Sequence, residues 1–415
     1  MIKEIKAFNP KGEINPPSSK SYCHRYLIGA FITNKPFKIH NFNFCDDTNA
    51  TLNGLKQMGG QFEIDGTTLS FIKREQKGKS VTIDAKESAS TLRMLLPIAC
   101  YLYDEVTFLG SERLFKRPLN VYEEILEKAG IPYIKTNNSI SIKGRLKENN
   151  FSIRGDISSQ FITGLLFYSL LSEDDVYLDI NTALKSSGYV SMTFDVMNEF
   201  GRLCKKNEDN SFEMSEHNQL SDEITIESDY SSASYFIVLG ALKGGIRVNN
   251  LNGNSNQPDM LLLKLLESIG ARFNWEGNAV LFEKSQLKPF KIDISNCIDL
   301  GPTLFALASL IDGTSVISGV DRLQIKESNR LEAMLIELNK AGVNAYIKDD
   351  KVIISGKSSY EGEYIFNSYN DHRICMALSI FIVAGLNRSS IGDFECINKS
   401  YPNFFKDLDG LKAWK

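Results

Sequence analysis

The chain has 415 residues, 42% of them hydrophobic and 24% charged, with a formal net charge of −4. That length suits about two to three domains with proper cores, and the composition excludes a disordered chain, a membrane protein and a general nucleic-acid surface. The longest apolar stretch, near 374–386, falls short of the roughly 18 to 20 residues that cross a bilayer. The opening residues lack the apolar core of a secretory signal, and seven cysteines in no metal-ligand spacing predict reduced thiols and a cytoplasmic protein.

Residues 2–8 have strand character and end in the turn Asn9-Pro10-Lys11-Gly12. Ser18-Ser19-Lys20-Ser21 then opens a helix over 22–31, followed by a strand at 37–42 and a second helix at 47–58. Gly59 ends that helix, and short strands at 61–64 and 69–72 flank the turn Asp65-Gly66.

The same order returns along the chain. Helices open at Glu87-Ser88-Ala89-Ser90, Asp156-Ile157-Ser158-Ser159, Asp229-Tyr230-Ser231-Ser232, Asp299-Leu300-Gly301-Pro302 and Asn370-Asp371-His372-Arg373, and glycines end second helices at Gly130, Gly201, Gly270 and Gly342. The period is about seventy residues, so one supersecondary unit is copied six times and the chain reads as two domains of three units. First helices such as 161–171 and 235–242 are nearly all apolar and belong in an interior, whereas second helices such as 121–128 are amphipathic and cover a surface.

The sixth unit stops early: after a helix at 403–408 and Gly410, only 411–415 remain. The N-terminal strand is therefore expected to complete it. One domain is then continuous over 17–226, and the other combines 227–415 with 1–16, with a hinge where the chain crosses near Pro16-Pro17 and near 221–227.

Cations stand in unfavourable places. Lys20, Arg25, Arg93, Lys326 with Arg330, and His372-Arg373 lie at helix starts, where the macrodipole disfavours positive charge by about 0.3–1 kcal/mol. Their phased recurrence, beside serine hydroxyls and free N–H groups, points to phosphate or carboxylate ligands. Plainer readings stand beside this one. Lys326 and Arg330 at i, i+4 with Glu327 also suit a structural salt-bridge helix, Asp299 and Asp371 suit simple N-caps, and Ser158-Ser159-Gln160 suits either a cap or a polyhydroxylated ligand. Arg117-Pro118 and Lys399-Ser400-Tyr401-Pro402 fall in loops before second helices.

The repeat and its strings resemble the enolpyruvyl transferase family end to end: PPSSKSYCHR at 16–25, ESASTLRMLLPIA at 87–99, KRPL at 116–119, GDISSQF at 155–161, ESDYSSASYF at 227–236, RLQIKESNRL at 322–331, NDHRICMAL at 370–378 and KSYPNFF at 399–405. The resemblance implies two inside-out α/β domains, each of three βαβαββ repeats, with an interdomain active-site cleft. In the branch most similar to this chain, the carboxyvinyl group of phosphoenolpyruvate moves to the 5-hydroxyl of shikimate 3-phosphate and phosphate leaves, with no metal or organic cofactor. The resemblance assigns Lys20, Ser21, Arg25, Ser158, Ser159, Gln160, Ser186, Asp299 and Lys326 to the sugar phosphate. It assigns Lys20, Ala89, Arg93, Arg117, Gln160, Arg330, Arg373 and Lys399 to phosphoenolpyruvate, and Lys20, Asp299 and Glu327 to catalysis.

Partners other than these substrates, nucleic acid and membrane included, are not expected, and a monomer is. Three departures stand out: Ala89 where the family usually has Gly, which implies reduced sensitivity to glyphosate, Asn329 where it usually has Asp, and Gln324 where it usually has Arg or Lys. The sister branch that acts on UDP-N-acetylglucosamine typically carries a reactive Cys in the loop matching 111–117, and none is present here. A noncatalytic scaffold of the same repeats has no use for Lys20, Asp299 and Glu327 together.

Overall fold

The computed structural model describes residues 1–75, 78–172, 175–206, 212–216 and 221–412, with the side chains at 203–206 and 213–216 left aside. The chain divides into two compact units, one of Ser18–Ile226 and one joining Met1–Pro17 to Glu227–Lys415. Each has its own apolar core.

Within both units the repeat begins one strand earlier than the sequence pattern suggests. In the second copy, strand Ser80–Asp84 leads into helix Ala89–Leu102 and pairs in parallel with Glu105–Leu109. Glu105–Leu109 then pairs antiparallel with Ser139–Lys143, and Tyr133–Lys135 closes the sheet. Leading strands of three or four residues recur at Asn150–Ile153, Lys291–Asp293 and Ile365–Asn367, each parallel to the strand that follows its helix, while Gly12–Ile14 and Glu223–Thr225 are exchanged, the first pairing in parallel with Ile246–Val248 and the second with Phe37–His40. A parallel pair needs a crossover, and the apolar helix supplies it.

The first helices fill the interior. Every residue of His372–Gly385 is buried, as are all but the last two of Tyr230–Lys243. Strands present one face to them and one to solvent, as in Lys351–Gly356, where Val352 and Ile354 are buried and Lys351 is exposed. After five of the second helices the chain reverses through Gly59, Gly130, Gly201, Gly270 and Gly342, all with φ between 65° and 101°. The phased glycine is thus the left-handed residue that ends a helix and starts a hairpin.

The N-terminal segment serves two sheets. Ile2–Lys6 pairs antiparallel with Arg388–Gly392 in the sixth repeat, but Gly12–Ile14 pairs in parallel with Ile246–Val248 in the fourth. Three-residue strands carry too little alternation to be read from sequence, which is why the second pairing was not anticipated.

Candidate active site

In the unit of residues 18–226, serines cap the three apolar helices. Ser19 accepts from the Tyr22 N–H at 3.4 Å, Ser88 from Thr91 at 3.2 Å and Ser158 from Gln160 at 3.3 Å. Lys20 is the first residue of its helix, and its Nζ lies 2.7 Å from Asp47 Oδ2 on the next helix. Thr91 ties these starts together, with its Oγ1 2.7 Å from Thr51 Oγ1 and 2.8 Å from Ser88 Oγ. Arg93 lies over the Phe161 ring at 4.8 Å and donates to Gln160 Oε1 at 3.0 Å and to the Pro118 carbonyl at 2.6 Å, while Gln160 Nε2 donates to Ser90 Oγ at 2.8 Å. Arg93 and Gln160 are thus brought together, and Lys20, Ser21, Ala89, Ser158 and Ser159 stand at the starts of the three helices.

Arg25 is buried and donates inward, to Thr193 Oγ1, Thr163 Oγ1 and the carbonyls of Ser21 and Tyr189. Burial lowers its guanidinium to about 10. Ser186 is buried with left-handed backbone at φ 61°, ψ 41°, a conformation that costs a non-glycine residue about 1 kcal/mol or more and tends to mark functional sites. Arg117 is half-buried in the turn between Glu112–Phe115 and Asn120–Lys128.

In the other unit, one carboxylate gathers three cations. Asp299 Oδ1 lies 3.2 Å from Lys326 Nζ and 3.0 Å from Arg330 Nη1, and its Oδ2 lies 3.1 Å from Arg373 Nη2. Arg330, 1% exposed, also reaches Glu327 Oε2 at 2.6 Å and Asp371 Oδ2 at 2.8 Å. Burial alone would raise the Asp299 carboxyl, but Arg373, Lys326 and Arg330 hold it well below the ordinary carboxylate range. Burial pushes the Lys326 ammonium down to about 8, although Asp299 opposes the shift. Lys399 is buried at the end of the 3-10 helix Phe394–Lys399, which packs on His372–Gly385.

Two plain readings of the sequence do not hold here. Lys326 and Arg330 do not share a helix face, because the 3-10 turn Asp321–Ile325 ends before Lys326 and the helix begins at Arg330; the two meet on Asp299 instead. Asp299 caps nothing: it lies inside the 3-10 turn Ile298–Leu300, and helix Gly301–Ser309 has no side-chain cap. Asp371 does cap, accepting from the Arg373 N–H at 2.9 Å, and it pairs with Arg330 as well. Sequence reasoning missed Asp47 as the partner of Lys20. The acidic opening Asp46-Asp47 of the second helix was the available signal.

The arrangement holds an ionised carboxylate amid cations already paired with protein carboxylates, so an arriving phosphate competes for charges that are in place. Fold and site together define a class: a repeat-built α/β protein whose internal helices gather charged groups at their ends.

Comparison with known proteins narrows that class. The sequence profile of EPSP synthase (3-phosphoshikimate 1-carboxyvinyltransferase) matches residues 6–408, and the chain belongs to that family. It is 39% identical over 412 residues to the 3-phosphoshikimate 1-carboxyvinyltransferase of Clostridium botulinum (strain Alaska E43 / Type E3), covering 97% of this chain and 95% of the relative. It is 35% identical over 415 residues to that of Clostridioides difficile (strain 630), covering 96% and 95%. Among solved structures, EPSP synthase from Acinetobacter baumannii superposes with a TM-score of 0.80 at 22% identity, covering 99% of this chain and 98% of that one, which bears on the fold alone.

Proposed function

We propose that this chain transfers the carboxyvinyl group of phosphoenolpyruvate to the 5-hydroxyl of shikimate 3-phosphate by addition and elimination, releasing phosphate. The observation that carries the reading is Asp299, held ionised with Lys326 and Arg330 on one oxygen and Arg373 on the other. A base for a sugar hydroxyl must be deprotonated at neutral pH, and two substrates bearing phosphate and carboxylate need many cations.

Asp299 takes the proton of the attacking hydroxyl. Glu327 and Lys20 handle the proton that enters and leaves the methylene carbon and the phosphate that departs. Lys20, Ser21, Arg25, Ser158, Ser159, Gln160, Ser186 and Lys326 bind the sugar phosphate; Ala89, Arg93, Arg117, Gln160, Arg330, Arg373 and Lys399, with Lys20, bind phosphoenolpyruvate. Arg25 plays its part from within, since its hydrogen bonds brace Ser21 and the helix Ser187–Glu199 that follows Ser186. The protein acts as a monomer in the cytoplasm; the free thiols of Cys23, Cys45, Cys100, Cys297, Cys375 and Cys396 support the compartment. Among the described residues, no helix is long and apolar enough to cross a membrane.

The test is phosphate release by purified protein given both substrates. No release with this pair, together with turnover of UDP-N-acetylglucosamine, overturns the assignment. The Glu327→Gln variant is expected to bind both substrates and to turn over about 10²- to 10⁴-fold more slowly; near-normal turnover removes Glu327 from the mechanism.

A further inference from the structure

Asp259 lies in the 3-10 turn Pro258–Met260 and is 1% exposed. Its Oδ2 accepts from Ser231 Oγ, and its Oδ1 has no hydrogen-bond partner among the described residues. A buried carboxyl with one oxygen unserved is costly as an anion. The groups that face it are Asp299 and Asp229, which oppose its ionisation, and Arg373, which favours it; the buried Cys297 thiol is also near. The loop that carries it is tied to the helix start, where Gln257 accepts from the Tyr230 N–H at 3.0 Å and donates to the Ser228 carbonyl at 2.8 Å. Ser231 sits in the opening turn of the fourth repeat, whose first helix lacks the cation found at the starts of the first, second and sixth.

We infer that Asp259 is a positioning residue of this site that acts through Arg373: as a neutral acid it leaves the guanidinium to Asp299 and an incoming anion, and as a carboxylate it holds the guanidinium back. The inference rests on the reading that Arg373 binds phosphoenolpyruvate. Three carboxylates, Asp299, Glu327 and Asp371, already face Lys326, Arg330 and Arg373. A fourth charge on Asp259 would compete for the same cations. Burial first, and Asp299 second, push its carboxyl up to about 7, so the exchange falls near neutral pH, below the range in which Lys326 loses its proton.

The experiment measures KM for phosphoenolpyruvate from pH 5.5 to 7.8 in the wild type and in Asp259→Asn, and takes the ratio at each pH so that titration of the substrate's own phosphate cancels. The wild-type KM is expected to rise by about fivefold relative to the variant across that range, at the low end of coupling between two ligands. Ser231→Ala removes the hydroxyl that favours the charged form, and the rise should move to higher pH. A constant ratio overturns the inference, even if both KM and melting temperature change, because a merely structural role would not move the profile. If Asp259→Asn does not fold, an unshifted profile in Ser231→Ala overturns it equally. No phosphate release by the wild type at any pH would instead sink the functional reading, a distinct outcome.

Discussion

One methyl group distinguishes Ala89 from the glycine usual at this place in the family, and it sits on the first, buried residue of helix Ala89–Leu102, beside the Ser90 hydroxyl that Gln160 contacts. A pocket discriminates by about 10- to 200-fold per methylene-sized change. Ala89→Gly is therefore expected to lower the glyphosate concentration that half-inhibits the enzyme by at least about tenfold, and equal inhibition of both proteins would remove the crowding argument. Asn329 departs from the family pattern in a different way. It accepts from the Glu332 N–H at 3.2 Å as the N-cap of Arg330–Lys340, a task Asp performs equally well, while its Nδ2 donates to Glu332 Oε2 at 3.0 Å, which Asp could not do. Gln324 is exposed in its 3-10 turn. Misplaced cations were visible in the sequence because helix starts repel them, the string at 322–331 held Glu327, and the phased helix openings held Asp299. The partners of those charges were not visible: Lys20 and Asp47 stand on different helices, and an i, i+4 spacing cannot reveal that a cap at Asn329 restarts the helix between Lys326 and Arg330.

Helices within a unit approach closely where side chains vanish. A Cβ on Gly164 of helix Ser159–Ser169 would lie 2.6 Å from the Arg93 carbonyl of helix Ala89–Leu102, and it would also strike the Tyr122 hydroxyl, which bonds that same carbonyl. Gly164→Ala is expected to cost about 1–3 kcal/mol, as overpacking does, read as a lowered urea midpoint. By parting Arg93 from Gln160 it should also raise KM for phosphoenolpyruvate; a variant with wild-type midpoint and KM would show that the helices yield freely. The sixfold period of capped helix and terminal glycine gave these elements and their interior or surface placement directly. Leading strands such as Lys291–Asp293 stayed hidden because three residues offer no periodicity, and their strand character comes from the parallel partner a crossover brings alongside.

The two compact units differ in how they are assembled from the chain. Residues 18–226 hold all three of their repeats in one stretch, with Glu223–Thr225 returning to pair with Phe37–His40 of the first. A fragment of 18–226 is thus expected to unfold as one cooperative transition. A fragment of 227–415 lacks strands from two sheets and should melt without cooperativity until the peptide 1–17 is added. Calorimetry of both fragments tests this, and a cooperative transition of 227–415 alone would show that the missing strands are dispensable. The split has a consequence in time. A ribosome makes Ile2–Lys6 long before Arg388–Gly392, so that strand must wait for its partner through the synthesis of both compact units between them. A segment made early is thus among the latest to find its place, and in the interval the charges of Lys3, Glu4 and Lys6 oppose its pairing with another chain.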